Sequence, residues 1–432
     1  MKKIFIYLLT LIFFSTNLFA DNFNEALLKA YKKNPKLNAE RENINVSKEN
    51  INIAKSDFLP SITLSSTKSK EDTSKLTNQS GGDAAITDVD PETQSLLIEQ
   101  TVFQGYGGMA DLQKNKIGLD LAKVKLLKVE QEIIYEAAQA YTRLVLANKK
   151  YKINQSNISL LERQVETDQA RLEKGQISLV DLAQSEASLA GANAKFIESK
   201  NEVVTGKLVY ENVIGSIDDA SELSDKLNIN IKLPKSLSEA SKISQSNNPE
   251  LIIAKLELQQ SEKDVTIARA DLAPSVSLSF QSTKTEDLSS TYDERDKEVL
   301  KATVSWPIFS GGKNRATLKK NRNLNNQKKL LLDDAINSNK TNVASAWSNY
   351  QSSKSLLDSI RSQVKAAEIA YEGITIEYES GLGRSTLDVI QSNTLLLDSK
   401  IALANSERNY LLSQLKLLQS IGLLTAEYLQ IK

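Results

Sequence analysis

Residues 34–69 of this chain, NPKLNAERENINVSKENINIAKSDFLPSITLSSTKS, recur as NPELIIAKLELQQSEKDVTIARADLAPSVSLSFQSTK. Pro35 matches Pro249 and Pro60 matches Pro274, both 214 positions apart, so the register holds between them without a gap. Further on, Phe103-Gln-Gly answers Phe309-Ser-Gly and Tyr141 answers Trp347, now 206 positions apart. The shorter offset places a length difference around 76–92 and 287–297. An internal repeat constrains a fold before any single motif does, because one solution must serve both copies. Here the repeated unit runs helix, strand, strand, helix, giving a first repeat over 21–214 and a second over 236–422.

The helices are long. Within the first repeat, 22–57 is expected as helix with a break at Asn34-Pro35, followed by 107–174 and 178–214. The second repeat carries 249–271, 313–380 and 384–421. Ile158, Leu161, Val165, Asp168 and Leu172 step by three and four, and Val343 to Tyr378 holds the same alternation for about five heptads. That is a coiled-coil seam. Ala, Ser, Thr and Arg at seam positions fit helices with several neighbours better than an isolated pair. A helix of about 68 residues at 1.5 Å rise would be a rod of roughly 100 Å, and two short helices laid end to end would match it.

Between the helices lie four strand-like segments, about 60–76, 93–104, 274–286 and 297–309. Ile62 and Leu64, then Leu96, Ile98 and Val102, then Val276, Leu278 and Phe280, then Leu300, Ala302, Val304 and Trp306 alternate with mostly polar residues. One face is apolar, and no other segment is left over to cover it. In a lipid bilayer such a face is at home, but there every sheet edge must be closed. A closed barrel needs about eight or more strands, hence at least two chains. The alternative is a small sheet on a periplasmic structural or adhesive coiled coil.

Composition narrows the function. Residues 1–20 join Lys2 and Lys3 to a short apolar run ending at Ala20, the pattern of a secretory signal peptide. No other stretch is long and apolar enough for a membrane helix. The chain has no Cys and no His, which removes thiol nucleophiles, zinc–thiolate sites, the usual acid–base residue and an N-terminal lipidation Cys. No cofactor or metal site is expected, since the acids of 83–92 have no ligand-loop spacing. The 54 basic and 54 acidic residues are interspersed, leaving no footprint for nucleic acid. No pair of acids marks a carboxylate hydrolase.

The Asn-Pro openings at 35 and 249, PIFSGGKNRA at 307–316, and the segments EKGQISLVDLAQSEASL and ESGLGRSTLDVIQSNTLL together resemble the TolC-like outer-membrane efflux proteins, over about residues 22–422. The resemblance implies an α+β membrane protein: a homotrimer with a twelve-stranded transmembrane barrel continuous with a periplasmic barrel of coiled-coil helices. Residues 215–235 would be an equatorial linker and 423–432 an equatorial C-terminal tail. It also implies passive conduction of exported molecules through the Gram-negative outer membrane, with a periplasmic adaptor and an inner-membrane pump of ABC or RND type as partners. The missing lipidation Cys leans toward the ducts of type I protein secretion.

The same resemblance puts a gate at the helix turns 171–181 and 378–391. By position, Asp181 corresponds to an acidic partner of Tyr378 and Arg384, and Asp388 to a ring that selects cations. Gln391 stands where a second acid of that ring is expected. Each has a plainer reading: Tyr378 continues the seam, Asp181 and Asp388 favour a helix N-terminus, and Arg384 is solvated.

Overall fold

The computed structural model describes residues 22–77, 79–83, 88–217, 223–224, 231–289 and 292–431. The signal-peptide segment, most of the expected linker and parts of both strand connections lie outside the described residues. In chain order the elements are α1 (Phe23–Lys33), α2 (Pro35–Ser56), β1 (Ser61–Lys68), β2 (Glu92–Gln104), α3 (Gly107–Glu173), α4 (Leu179–Val213), α5 (Leu237–Asn247), α6 (Pro249–Ala270), β3 (Ser275–Glu286), β4 (Glu294–Ser305), α7 (Lys313–Glu379) and α8 (Thr386–Ser420). The duplication is metric. α1 and α5 have 11 residues each, α2 and α6 have 22, α3 and α7 have 67, and α4 and α8 have 35.

Local chemistry sets these boundaries. Asn34 and Asn248 are extended residues before a proline, which excludes them from the following helix. Asn248 then caps α6 by accepting from the Glu250 and Leu251 amides, with Pro249 at the first helical position. β1 stops at Lys68, short of the expected 76, and β4 begins at Glu294 and ends at Ser305, earlier than expected at both ends. Beyond Lys68 the sequence turns polar, and its described residues carry isolated bridges, Glu71 with Val89 and Thr77 with Asp83.

The chain divides into two compact units, both of which take residues from α3 and α7. One comprises 36–129 and 241–343 and holds the sheet. Its strands are ordered β1-β2-β3-β4, all antiparallel. The pairing puts Ile62, Ile98, Phe280 and Leu300 in one row across all four strands. Ser65, Ser95, Thr283 and Lys297 form a row on the opposite face. On the apolar face Ile62, Leu64, Leu300 and Val304 are each at least 67% exposed. Below the sheet, α6 joins α3 through Lys114–Asp264 and α7 through Lys328–Glu257, both 2.7 Å. Buried polar pairs fix the helix register: Asn325 donates to Ser261, and Ser244 to Asn339.

The second unit comprises residues up to 35, 130–240 and 344–432. Its core is apolar and aromatic. Phe23 of α1 meets Tyr141 of α3 edge to face at 5.1 Å, with Tyr210 of α4 beyond. Leu415, Leu417, Leu418 and Ile421 are fully buried, as are Leu424 and Ala426 of the segment after α8. That segment is held by the Glu130 carboxylate, which accepts from the Ala426 amide, and by Tyr428, whose hydroxyl donates to the Lys232 carbonyl. Among the described residues no helix is long and apolar enough to cross a membrane.

Candidate functional site at the helix turns

The α3–α4 and α7–α8 turns follow one recipe. Gly175 and Gly381 take left-handed backbone (φ 66° and 73°), which ends the preceding helix at low steric cost. Gln176 N–H then closes onto the Arg171 carbonyl and Leu382 N–H onto that of Glu377. The next helix starts with a capping box. Ser178 accepts from the Asp181 amide while its own amide and hydroxyl donate to the Asp181 carboxylate at 2.9 and 2.7 Å. Ser385 and Asp388 repeat the arrangement at 2.9 Å for both. These bonds hold both carboxyls below the usual carboxylate range.

Asp181 therefore turns back onto its own helix start and does not reach Tyr378 or Arg384 within the chain. The third helical position aims the carboxylate at the cap. Arg384 is exposed and binds Glu377 through Nε at 2.6 Å. Gln391 is exposed on α8, three residues after Asp388.

Tyr378 is buried, and its hydroxyl donates to Asp168 Oδ1 at 2.6 Å. With that proton committed, Thr386 Oγ1, 3.0 Å away, is the donor to the tyrosine oxygen. Asp168 is fully buried. It also accepts from Ser185 Oγ at 2.5 Å and from Gln164 Nε2 at 2.9 Å. Arg171 lies one turn along α3. It donates to the Tyr378 carbonyl at 3.2 Å, and its guanidinium carbon stands 4.2 Å over the tyrosine ring. One buried carboxylate thus ties α3 to α4 and α7, and Tyr378 extends the link to Thr386 of α8. Burial, reinforced by the Asp168 acceptor, pushes the Tyr378 hydroxyl above its ordinary value despite Thr386 and Arg171, so near neutral pH it is a donor.

Of the residues singled out from the sequence, only Tyr378 belongs to this network. Asp168, Ser185, Thr386, Arg171 and Gln164 were missed. A signal for Asp168 was present: a carboxylate in the Ile158–Leu172 seam needs donors from every helix around it, since an unpaired buried charge is costly.

A duplicated bundle of long helices carrying a four-stranded sheet with an exposed apolar face defines a membrane-channel class of protein. The profile of the "Outer membrane efflux protein" family matches residues 26–208 and 241–423, and the chain belongs to that family. It is 25% identical over 411 residues to the outer membrane efflux protein BepC of Brucella suis, covering 95% of this chain and 87% of BepC. To the alkaline protease secretion protein AprF of Pseudomonas aeruginosa it is 21% identical over 342 residues, covering 78% and 71%. The crystal structure of the outer membrane protein VceC of Vibrio cholerae superposes with a TM-score of 0.78 at 17% identity, covering 93% of this chain and 96% of VceC. The family consists of outer-membrane efflux and secretion channels of Gram-negative bacteria, with periplasmic extensions.

Proposed function

We propose that three copies of the chain close a twelve-stranded barrel in the outer membrane. Their helices form a periplasmic duct that passively conducts cargo. The observation that carries this reading is the sheet. Its apolar face is bare, and β1 and β4 end it with unpaired edges, which a bilayer tolerates only in a closed barrel. A periplasmic adaptor and an inner-membrane pump of ABC or RND type would supply the energy. A secretion protein and an efflux protein both stand among the relatives, so either class of cargo suits the same duct.

The turns at 171–181 and 378–391 are the gate in this reading. The Asp168–Tyr378 bond is the latch, because breaking it frees the α7–α8 pair from α3 and α4. Arg384, which binds Glu377 within its own turn, braces the α7–α8 hairpin beside that latch. In three copies, Asp388 concentrates negative potential at the entrance, and Gln391 leaves that ring one acid weaker.

Single-channel conductance in planar bilayers tests this, comparing wild type with Tyr378→Phe plus Arg384→Ala. A small cation-selective current that rises in the double variant is expected. An unchanged current would keep the duct and remove the gate. No current from purified, folded trimer of either form would favour the structural coiled coil.

A further inference from the structure

Arg408 stands where the α8 seam calls for an apolar residue. Ala404, Arg408, Leu411 and Leu415 step by four, three and four, and the other three are buried. The Arg408 Nε is buried as well, and among the described residues nothing accepts a hydrogen bond from it. Leaving such a group unpaired costs free energy, so packing alone would favour a leucine here. Burial pushes the guanidinium below its ordinary value, and Arg143 pushes the same way against Tyr135.

The Arg408 side chain lines a cleft of about 540 Å³ between α3, α7 and α8. That lies within the range of roughly 300–1,000 Å³ typical of small-molecule sites. Buried Val145, Leu357 and Leu411 give it an apolar lining. Tyr410 lines it too, stacked on Tyr350 with ring centroids 6.0 Å apart. Four cations and two acids share the cleft, and both acids are already engaged. Lys149 binds Glu407 at 3.2 Å, and Arg361 lies 3.7 Å from Asp358. Among the described residues, Lys354 and Arg408 are left without a carboxylate. A second cleft on the α4 side of Arg408 offers no relief, because its Glu202 is taken by Lys150 at 3.0 Å while Arg143 adds another positive charge.

We propose that the cleft between α3, α7 and α8 binds an organic anion, a carboxylate with an aromatic or aliphatic body. Arg408 takes the carboxylate in its planar donor fork, and Lys354 supplies the second charge. The body of the ligand lies on Leu357, Leu411 and Tyr410, a lining that disfavours a bare hydrated anion such as phosphate. The anion supplies the acceptor that Arg408 lacks within the chain. All of these residues belong to one chain, so the site does not depend on the trimer.

The test titrates full-length protein in neutral detergent with 1-naphthoate by isothermal calorimetry, with detergent alone as the blank. 1-Naphthylmethylammonium and inorganic phosphate serve as comparisons. Saturable binding of one naphthoate per chain is expected, with both comparisons weaker. Arg408→Gln should weaken naphthoate by about tenfold or more, the scale of one charge-assisted hydrogen bond. Lys354→Gln should weaken it less; Lys354 is exposed, so this variant reads binding even if Arg408→Gln fails to fold. Arg408→Leu, which completes the apolar seam, should remove binding and raise the unfolding temperature of the ligand-free protein. A fall in that temperature would assign Arg408 to helix packing and overturn its place in the site. No saturable binding by the wild type, equal binding of the ammonium analogue, or unchanged affinity in Lys354→Gln and Arg408→Gln would overturn the site itself.

Discussion

The two repeats agree where they need only be long and differ where they must hold on to one another. Every helix of the first has a counterpart of equal length in the second. At the turns the correspondence in sequence breaks. Asp168 of α3 lies 206 positions before Ile374 of α7, and Leu172 lies 206 before Tyr378. Past the extra residue of Gly381-Leu-Gly-Arg, Leu179 lies 207 before Thr386. The capping serines and acids are kept in both, Ser178 with Asp181 and Ser385 with Asp388. Duplication thus supplied two equivalent hairpins with equivalent caps. The bond between them lies where the two differ in sequence: Asp168 on the first hairpin accepts from Tyr378 on the second, and Thr386 supports Tyr378.

The largest effect on this asymmetry should come from Asp168→Ala. It strands the Tyr378, Ser185 and Gln164 donors together, and leaving buried donors unmet costs about 1–3 kcal/mol each. The expected outcome is protease cutting near residues 171–181 and 378–391 while far-ultraviolet circular dichroism keeps its helical signal. Cutting confined to one turn would show that the carboxylate does not couple the two hairpins.

A milder change makes the second repeat copy the first. Thr386→Leu installs the residue found at the matching position, Leu179, and removes the Tyr378 partner without touching Asp168. A loss of about 1 kcal/mol is expected, seen as a modest fall in denaturant midpoint. A larger loss would mean that Thr386, rather than Asp168, carries the contact.

How far the sequence could reveal all this follows from the same contrast. The repeat offsets, the Pro and Gly punctuation and the period-three-four seams are local signals, and they located the long helices and the four strands. Strand ends were less visible, because β1 stops where Ser and Lys replace alternation gradually. Asp181, Arg384 and Asp388 attracted notice through their places around two turns, yet the capping boxes and Glu377 take up their charges locally. Asp168 belongs to a network spanning positions 164 to 386, and no short window joins those ends. Its one local trace is a charge where the seam calls for an apolar residue.

The smallest effects should separate the shared feature from the divergent one by pH. The Asp181 and Asp388 carboxyls are held low by their caps, so their contribution is complete above the ordinary carboxylate range near 4. It fades as pH falls through their lowered folded values, at both turns in the same direction. Tyr378 runs the other way. Its hydroxyl is raised by burial, so its contribution is complete below about 10 and is lost as pH rises through the higher folded value. Acid should therefore loosen both helix starts, whereas alkali should release the link between hairpins through Tyr378. Proteolysis at the two turns, sampled from pH 3 to pH 11 with acid- and alkali-tolerant proteases, reads both limbs. In Tyr378→Phe the acid limb should persist unchanged. The alkaline limb should vanish, because no ionisable hydroxyl remains in the network. An alkaline limb surviving in that variant would place the titrating group elsewhere and detach Tyr378 from the latch.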